Sequence, residues 1–242
     1  MSSTLTSEVL AELAPDGILN VAINLGNPVL AQSGPDGEPQ GVSVALAKAL
    51  AEELGITPRM RTYDAAGKVF ADLEQGAWSL AFLAIEPVRE AQIAFSDPYV
   101  LIEGTYLVRS DAPYQHVDQL DQAGLRVAVG QGAAYDLYLS RTLQQAELVR
   151  ADTSAAAVDL FLEQGLDAAA GVRQPLQRVA LSDARYRVLD GSFTSIRQAM
   201  AVPRKHHHAA AYVRDFVERQ LRSGFVRGAL LATGQTDVSA SR

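Results

Sequence analysis

Short apolar runs alternate with amphipathic stretches along this chain, and turn residues separate them. Ile18 to Leu25 mixes apolar and polar positions at the strand period and stops at Gly26-Asn27-Pro28. A polar loop, Ser33 to Pro39, precedes an alanine- and leucine-rich stretch over Val42–Leu54 that predicts a helix, with Gly55 as its C-cap. Arg59 to Tyr63 predicts a second strand, Lys68 to Gln75 a helix ended by Gly76, and Trp78 to Ile85 a third strand, mostly apolar. Strand, helix, strand, helix, strand is the order of a parallel sheet covered by helices.

The same grammar begins again after an extended segment, Thr105 to Arg109. Leu125 to Val129 predicts a strand that turns through Gly130-Gln-Gly-Ala-Ala-Tyr135 into a helix running to about Gln145. A short strand at Leu148–Arg150, a helix over Ser154–Gln164 capped by Gly165, and a strand over Leu166–Gly171 follow. Arg187–Leu189 and Ile196–Val202 then lead to a long amphipathic helix, Ala209–Ser223, and a short one over Val226–Thr233. Two α/β lobes result: 1–106 with 190–242, and 107–189. Their crossings lie near 105–112 and 186–192.

Composition narrows the functions. A net charge of −7 without a long basic run argues against nucleic acid and against anionic membrane surfaces. No apolar run reaches the roughly 18–20 residues that span a bilayer, so membrane insertion is not expected. With no cysteine, disulfides, thiolate catalysis and cysteine-ligated metals are excluded. Residues 1–13 predict a short amphipathic helix and lack the basic and apolar regions of a secretory signal, which points to the cytoplasm; a signal trimmed from the chain would make it periplasmic instead.

The chemistry concentrates after the third strand. Arg89 lies just beyond that strand's carboxyl end, where open α/β sheets place ligands. A guanidinium there suits a carboxylate, because its fixed fork makes two parallel charge-assisted hydrogen bonds. The plainer reading is a pair with Glu86 or Glu90. Asn24, Asn27, Phe82 and Ala84 are wall candidates on or beside the first and third strands. Lys68 and Arg173 are further cations, each also readable as solvated surface charge. The glycine turn offers free N–H groups to an anion through Gln131, Ala133, Ala134 and Tyr135, or is a plain packing turn. It lacks the Gly-Lys-Ser/Thr ending of a nucleotide loop. Three consecutive histidines, His206 to His208, point about 100° apart on a helix and cannot converge on one ion. No metal or cofactor is expected.

Several of these segments together resemble the family 3 solute-binding proteins, the polar amino-acid receptors of ABC transporters. Glu86-Pro-Val-Arg89 with Phe95-Ser-Asp-Pro-Tyr99 is similar to the family's T-P-x-R and F-S-x-P-Y signature. Residues 36–50, 73–80 and 125–132 resemble its first helix, its "L-x-x-G" turn and the opening of its second lobe. The resemblance implies a two-lobed periplasmic-binding-protein-like fold of type II, each lobe a mainly parallel sheet flanked by helices, with the ligand cleft between the lobes. It implies that Arg89 grips a ligand carboxylate, that the loop preceding Lys68 lines the pocket, and that hinge closure accompanies binding.

Departures from the family pattern fall on the amino-group side. Glu86 replaces the signature threonine, Val172 stands at the second-lobe aspartate, Asn24 at a first-lobe acidic position, and Ala133-Ala134 where a hydroxyl is used. Burying an ammonium beside Val172 without a carboxylate costs several kcal/mol. The ligand expected is therefore a small carboxylate-bearing anion, a di- or hydroxycarboxylate, and not an ordinary α-amino acid. A transporter permease is a partner only if an export signal has been removed. The alternative is a cytoplasmic enzyme of this fold, of dehydratase, lyase or isomerase type, with Glu86 as general acid, Arg89 as carboxylate anchor and Lys68 as base.

Overall fold

The computed structural model describes residues 6–241, so the start of the predicted N-terminal helix, residues 1–5, lies outside the described residues. The chain divides into two compact units, residues 1–101 with 197–242, and residues 102–196.

In the first unit, α1 (Ser7–Leu13), β1 (Ile18–Asn24), the hairpin strands β2 (Gln32–Ser33) and β3 (Pro39–Gln40), and α2 (Val42–Leu54) come first. They are followed by β4 (Thr57–Tyr63), α3 (Ala66–Ala71), β5 (Leu80–Ala84), α4 (Pro87–Glu90), β6 (Ile93–Phe95) and the start of β7 (Val100–Arg109). β1 is central, pairing in parallel with β4 from Ile18↔Thr57 to Asn24↔Tyr63 and with β5 at Val21↔Leu80 and Ala22↔Ala81. The edge strand β4 carries Arg59 and Arg61, charges that discourage pairing with another chain. β5 is buried at every position. Its Ala81 and Leu83 pack with Ala22, Val69, Trp78, Ile93 and Ala201 in one core. Strand alternation sends Phe82 to the other face, where its ring meets Tyr99 edge-on at 6.1 Å.

The second unit holds the rest of β7, a 3-10 turn at Val117–Leu120, β8 (Arg126–Gly130), α5 (Ala134–Thr142), β9 (Glu147–Ala151), α6 (Ser154–Gln164), β10 (Ala168–Val172), α7 (Arg173–Ser182) and β11 (Tyr186–Val188). β8 is central here, parallel to both β9 and β10, and β7 runs antiparallel to β10. Leu107, Ala128, Ala157, Phe161, Leu166, Ala169 and Leu176 form its core. β12 (Thr194–Pro203) then brings the chain back to the first unit, pairing antiparallel with β5 and β6. The chain ends in α8 (His207–Arg222), α9 (Phe225–Ala232) and β13 (Ser239–Ala240), which pairs with the start of β7.

Three of the differences from the sequence expectation have a local cause. α3 stops at Ala71, because Asp72 turns to accept the Tyr63 hydroxyl at 2.8 Å and pairs with Arg61. α5 ends at Thr142 and not near Gln145, since the Asp121 carboxylate takes the N–H groups of Gln144, Gln145 and Ala146 and pulls them out of the helix. α7 was not anticipated in a stretch containing Pro175. The proline sits in the first turn, where its missing N–H costs nothing, and Leu176 packs over the bare backbone of Gly171.

Candidate functional site

Both units share one topological feature. In the first unit β1 lies between β4 and β5, and in the second β8 lies between β9 and β10, so the connections leaving β1 and β5, or β8 and β10, diverge at the carboxyl ends of the strands. Such a point opens a crevice in an α/β sheet. In the first unit it falls between the ends of β1 and β5, and the residues there are Asn24 to Asn27 and Ala84 to Arg89.

Glu86 and Pro87 start the one-turn helix α4, with Glu86 at the N-cap and Pro87 at the first helical position. The Glu86 carbonyl accepts the N–H groups of Arg89 at 2.9 Å and Glu90 at 3.1 Å. This turn carries Arg89 back towards the strand end, where its Nη1 donates to the Ala84 carbonyl at 3.0 Å. Arg89 is only 1% exposed and Glu86 only 6%. Burial pulls the Arg89 pKa down to about 10, against the attraction of the Glu86 carboxylate, which holds the guanidinium charged. A guanidinium so enclosed remains a cation at neutral pH.

The facing loop from β1 is shaped by its asparagines. Asn24 Oδ1 accepts the Gly26 N–H at 2.9 Å and Asn27 Oδ1 accepts the Val29 N–H at 3.2 Å. With each oxygen engaged in its own turn, each amide presents its NH2 group as a donor. Gly26 allows this loop to touch the β4 loop, since a Cβ there would stand 2.4 Å from the Asp64 carbonyl. Lys68 pairs with Asp64 at 2.9 Å, one helical turn away, so it adds no net charge to this end of the unit. Phe82 and Ala84 are buried on β5; Ala84 contributes its carbonyl, and Phe82 packs against Tyr99.

The second unit engages part of the expected anion loop. The N–H groups from Gly130 to Ala133 are not free. Gly130 donates to the Tyr135 hydroxyl at 3.0 Å, Gln131 to the Ala151 carbonyl at 2.8 Å, Gly132 to the Asp136 carboxylate at 2.8 Å, and Ala133 to the Gly130 carbonyl at 3.1 Å. Tyr135 is buried and its hydroxyl also meets Ser154 Oγ at 2.7 Å. Burial raises its pKa, so it stays a neutral phenol. Asp136, which sequence reasoning missed, takes the Gly132 N–H of this loop. It is 3% exposed and pairs with Arg150 at 3.0 Å. Its position in the first turn of α5, after a glycine loop, was the available signal.

Arg173 is likewise spoken for. It pairs with Glu103 and donates to the Gly191 carbonyl, tying the start of α7 to β7 and to the loop before β12. The expected excess of positive charge from Lys68 and Arg173 is therefore absent, because each has a carboxylate beside it. Val172 ends β10 at 9% exposure and supplies no carboxylate there. The histidine run opens α8, whose start is held by Glu12: its carboxylate meets His208 Nδ1 at 3.0 Å and accepts the Ala209 N–H at 2.7 Å. Among the described residues no cluster of side chains could hold a metal, and no helix is long and apolar enough to cross a membrane.

Comparison with known proteins agrees with this architecture. Residues 19–228 match the model of the bacterial extracellular solute-binding proteins, family 3. No curated protein sequence matches the chain. Among solved structures, the P235GK mutant of ArgBP from T. maritima superposes with a TM-score of 0.79 at 20% identity, over 93% of this chain and 98% of that one. An amino acid ABC transporter substrate-binding protein from Streptococcus pneumoniae, bound to L-arginine, gives 0.79 at 20% identity over 98% and 100%. The ancestral amino acid-binding protein AncCDT-1, a precursor of cyclohexadienyl dehydratase, gives 0.77 at 22% over 92% and 98%. At these identities the likeness establishes the fold, a mixed α/β architecture of the periplasmic-binding-protein type.

Proposed function

The chain belongs to the bacterial extracellular solute-binding proteins of family 3, and from that premise we propose that it binds a small carboxylate-bearing molecule other than an ordinary α-amino acid. The observation that carries this reading is Arg89, a buried guanidinium fixed to the end of β5 where the strand connections diverge. It anchors the ligand carboxylate. The Asn24 and Asn27 amides, on the loop from the neighbouring strand, suit hydroxyl or carbonyl oxygens. Val172 in place of a carboxylate at the end of β10 disfavours an ammonium, whose burial there would cost several kcal/mol. With Lys68 and Arg173 neutralised by Asp64 and Glu103, a monocarboxylate carrying hydroxyl groups fits better than a dicarboxylate. The two units close on the ligand through β7 and β12, the segments that connect them.

Thermal-shift screening with lactate, malate, succinate and arginine, followed by titration calorimetry on each hit, tests this. Hydroxy acids stabilise the wild type and fail to stabilise Arg89→Gln. Strong stabilisation by arginine with none by the hydroxy acids sinks the reading. The burial of Glu86 beside the anchor favours one second reading, in which its carboxyl acts as a general acid on the bound substrate. Following each hit by NMR over hours separates the two. A ligand that persists unchanged is bound only, whereas turnover abolished in Glu86→Gln makes the protein an enzyme.

A further inference from the structure

A second cavity of about 480 Å³ lies within the first unit, where β6, the end of β12 and α8 meet. Its α8 and β12 residues have no part in the Arg89 site. On α8, His207, Ala210, Ala211 and Arg214 follow the i, i+3, i+4, i+7 spacing and so form one helical stripe. The two alanines leave a trench that larger side chains would fill. Ile93 and Phe95 of β6 provide an apolar floor.

The rim is cationic. Arg197 and Arg204 from β12 and the turn after it, together with Arg214, line the cavity against one carboxylate, Glu90. This is a notable concentration on a chain of net charge −7. Several guanidiniums elsewhere are matched: Arg61, Arg150, Arg173, Arg185, Arg219 and Arg222 each pair with an Asp or Glu. Among the described residues no ion pair holds Arg197 or Arg214, and Arg204 donates to the main-chain carbonyl of Glu90 and not to its carboxylate. Unmatched guanidiniums around an apolar floor fit an oxyanion carried on a small apolar body, with bidentate contacts to the anion and burial of the body.

We propose that this trench is a second ligand site, specific for a small organic phosphate or carboxylate with an apolar body. Titrations of 15N-labelled full-length protein with phenyl phosphate, benzoate and inorganic phosphate test it. Phenyl phosphate or benzoate shifts the Ala94, Ala210 and Ala211 amides saturably; whichever binds more tightly identifies the anion. Inorganic phosphate alone binds at least about tenfold more weakly, because it buries no apolar area. Arg197→Gln combined with Arg214→Gln weakens binding by about tenfold or more, as the loss of charged hydrogen bonds requires. Both side chains are exposed, so the fold survives the change. Ala210→Leu fills the trench and abolishes binding with the charges intact, while Arg89→Gln leaves it unaltered. Unsaturable shifts, inorganic phosphate binding as tightly as phenyl phosphate, or full affinity in the double arginine variant would each overturn the proposal.

Discussion

At the scale of single residues, position and partner decide what a charge can do. Arg89 was legible because its spacing from a predicted strand end is local information. Its near-total burial and its bond to Ala84 were not, since they depend on α4 turning back on β5. Arg89→Lys keeps the charge but loses the planar fork, and carboxylate affinity is expected to fall by roughly tenfold to a hundredfold in calorimetry. Glu86→Gln removes the anion that competes for Arg89, so affinity for plain carboxylates rises; affinity for an amino acid would instead fall if Glu86 were its ammonium partner. Glu12 gives a pH prediction. Burial opposes its ionisation, but the Ala209 N–H and His208 outweigh that and hold the carboxyl below its ordinary range. A lowered folded pKa contributes stability that is present above the unfolded value and lost as pH falls through the folded one. Urea unfolding followed by Trp78 fluorescence should thus show wild-type stability falling more steeply than that of Glu12→Gln between about pH 5 and pH 3.

At the scale of elements, local pattern located the helices and strands, and distant contacts set where they stop. Gly55 and Gly165 end α2 and α6 in left-handed conformations, as their sequence positions suggested. The early ends of α3 and α5 came from Tyr63, on the strand before α3, and Asp121, more than twenty residues before the amides it holds. The start of α5 depends on Asp136, buried against Arg150. Arg150→Gln leaves that carboxylate without its cation, and a loss of about 2 kcal/mol is expected in chemical unfolding, moderated because Arg150 is partly exposed. On β7, Gly104 lies under Phe193, and an added Cβ would stand 2.9 Å from its ring and 2.8 Å from the Thr194 methyl. Gly104→Ala is therefore expected to destabilise by about 1–3 kcal/mol, measurable by the same unfolding experiment.

At the scale of the molecule, β7 and β12 are the strands that connect the two units. Arg173 holds Glu103 and the Gly191 carbonyl beside those strands. Arg173→Gln should speed amide exchange at residues 103–104 and 191–193 without lowering the protection of the β8–β10 core, a pattern that hydrogen exchange with mass spectrometry resolves. A ligand that closes the units should reduce the radius of gyration in solution scattering, and Arg89→Gln should show no such change. An unchanged radius at saturating ligand would argue against closure.

The sequence by itself determined the α/β order of elements, the family, and the position of Arg89, because strand periodicity, glycine caps and a short signature are all local. Only the tertiary structure decided which charges stay available. Lys68, Arg173 and the glycine turn each looked ready for an anion. Asp64 and Glu103 had already claimed the two cations and Asp136 the Gly132 N–H of the turn, and of these only Asp64 and Asp136 lie within a helical turn of the group they satisfy. Glu103 is far away in the chain. What remains at the end of β5 is Arg89, buried and fixed beside Glu86, a pairing that the signature contained and that only the fold showed to be enclosed.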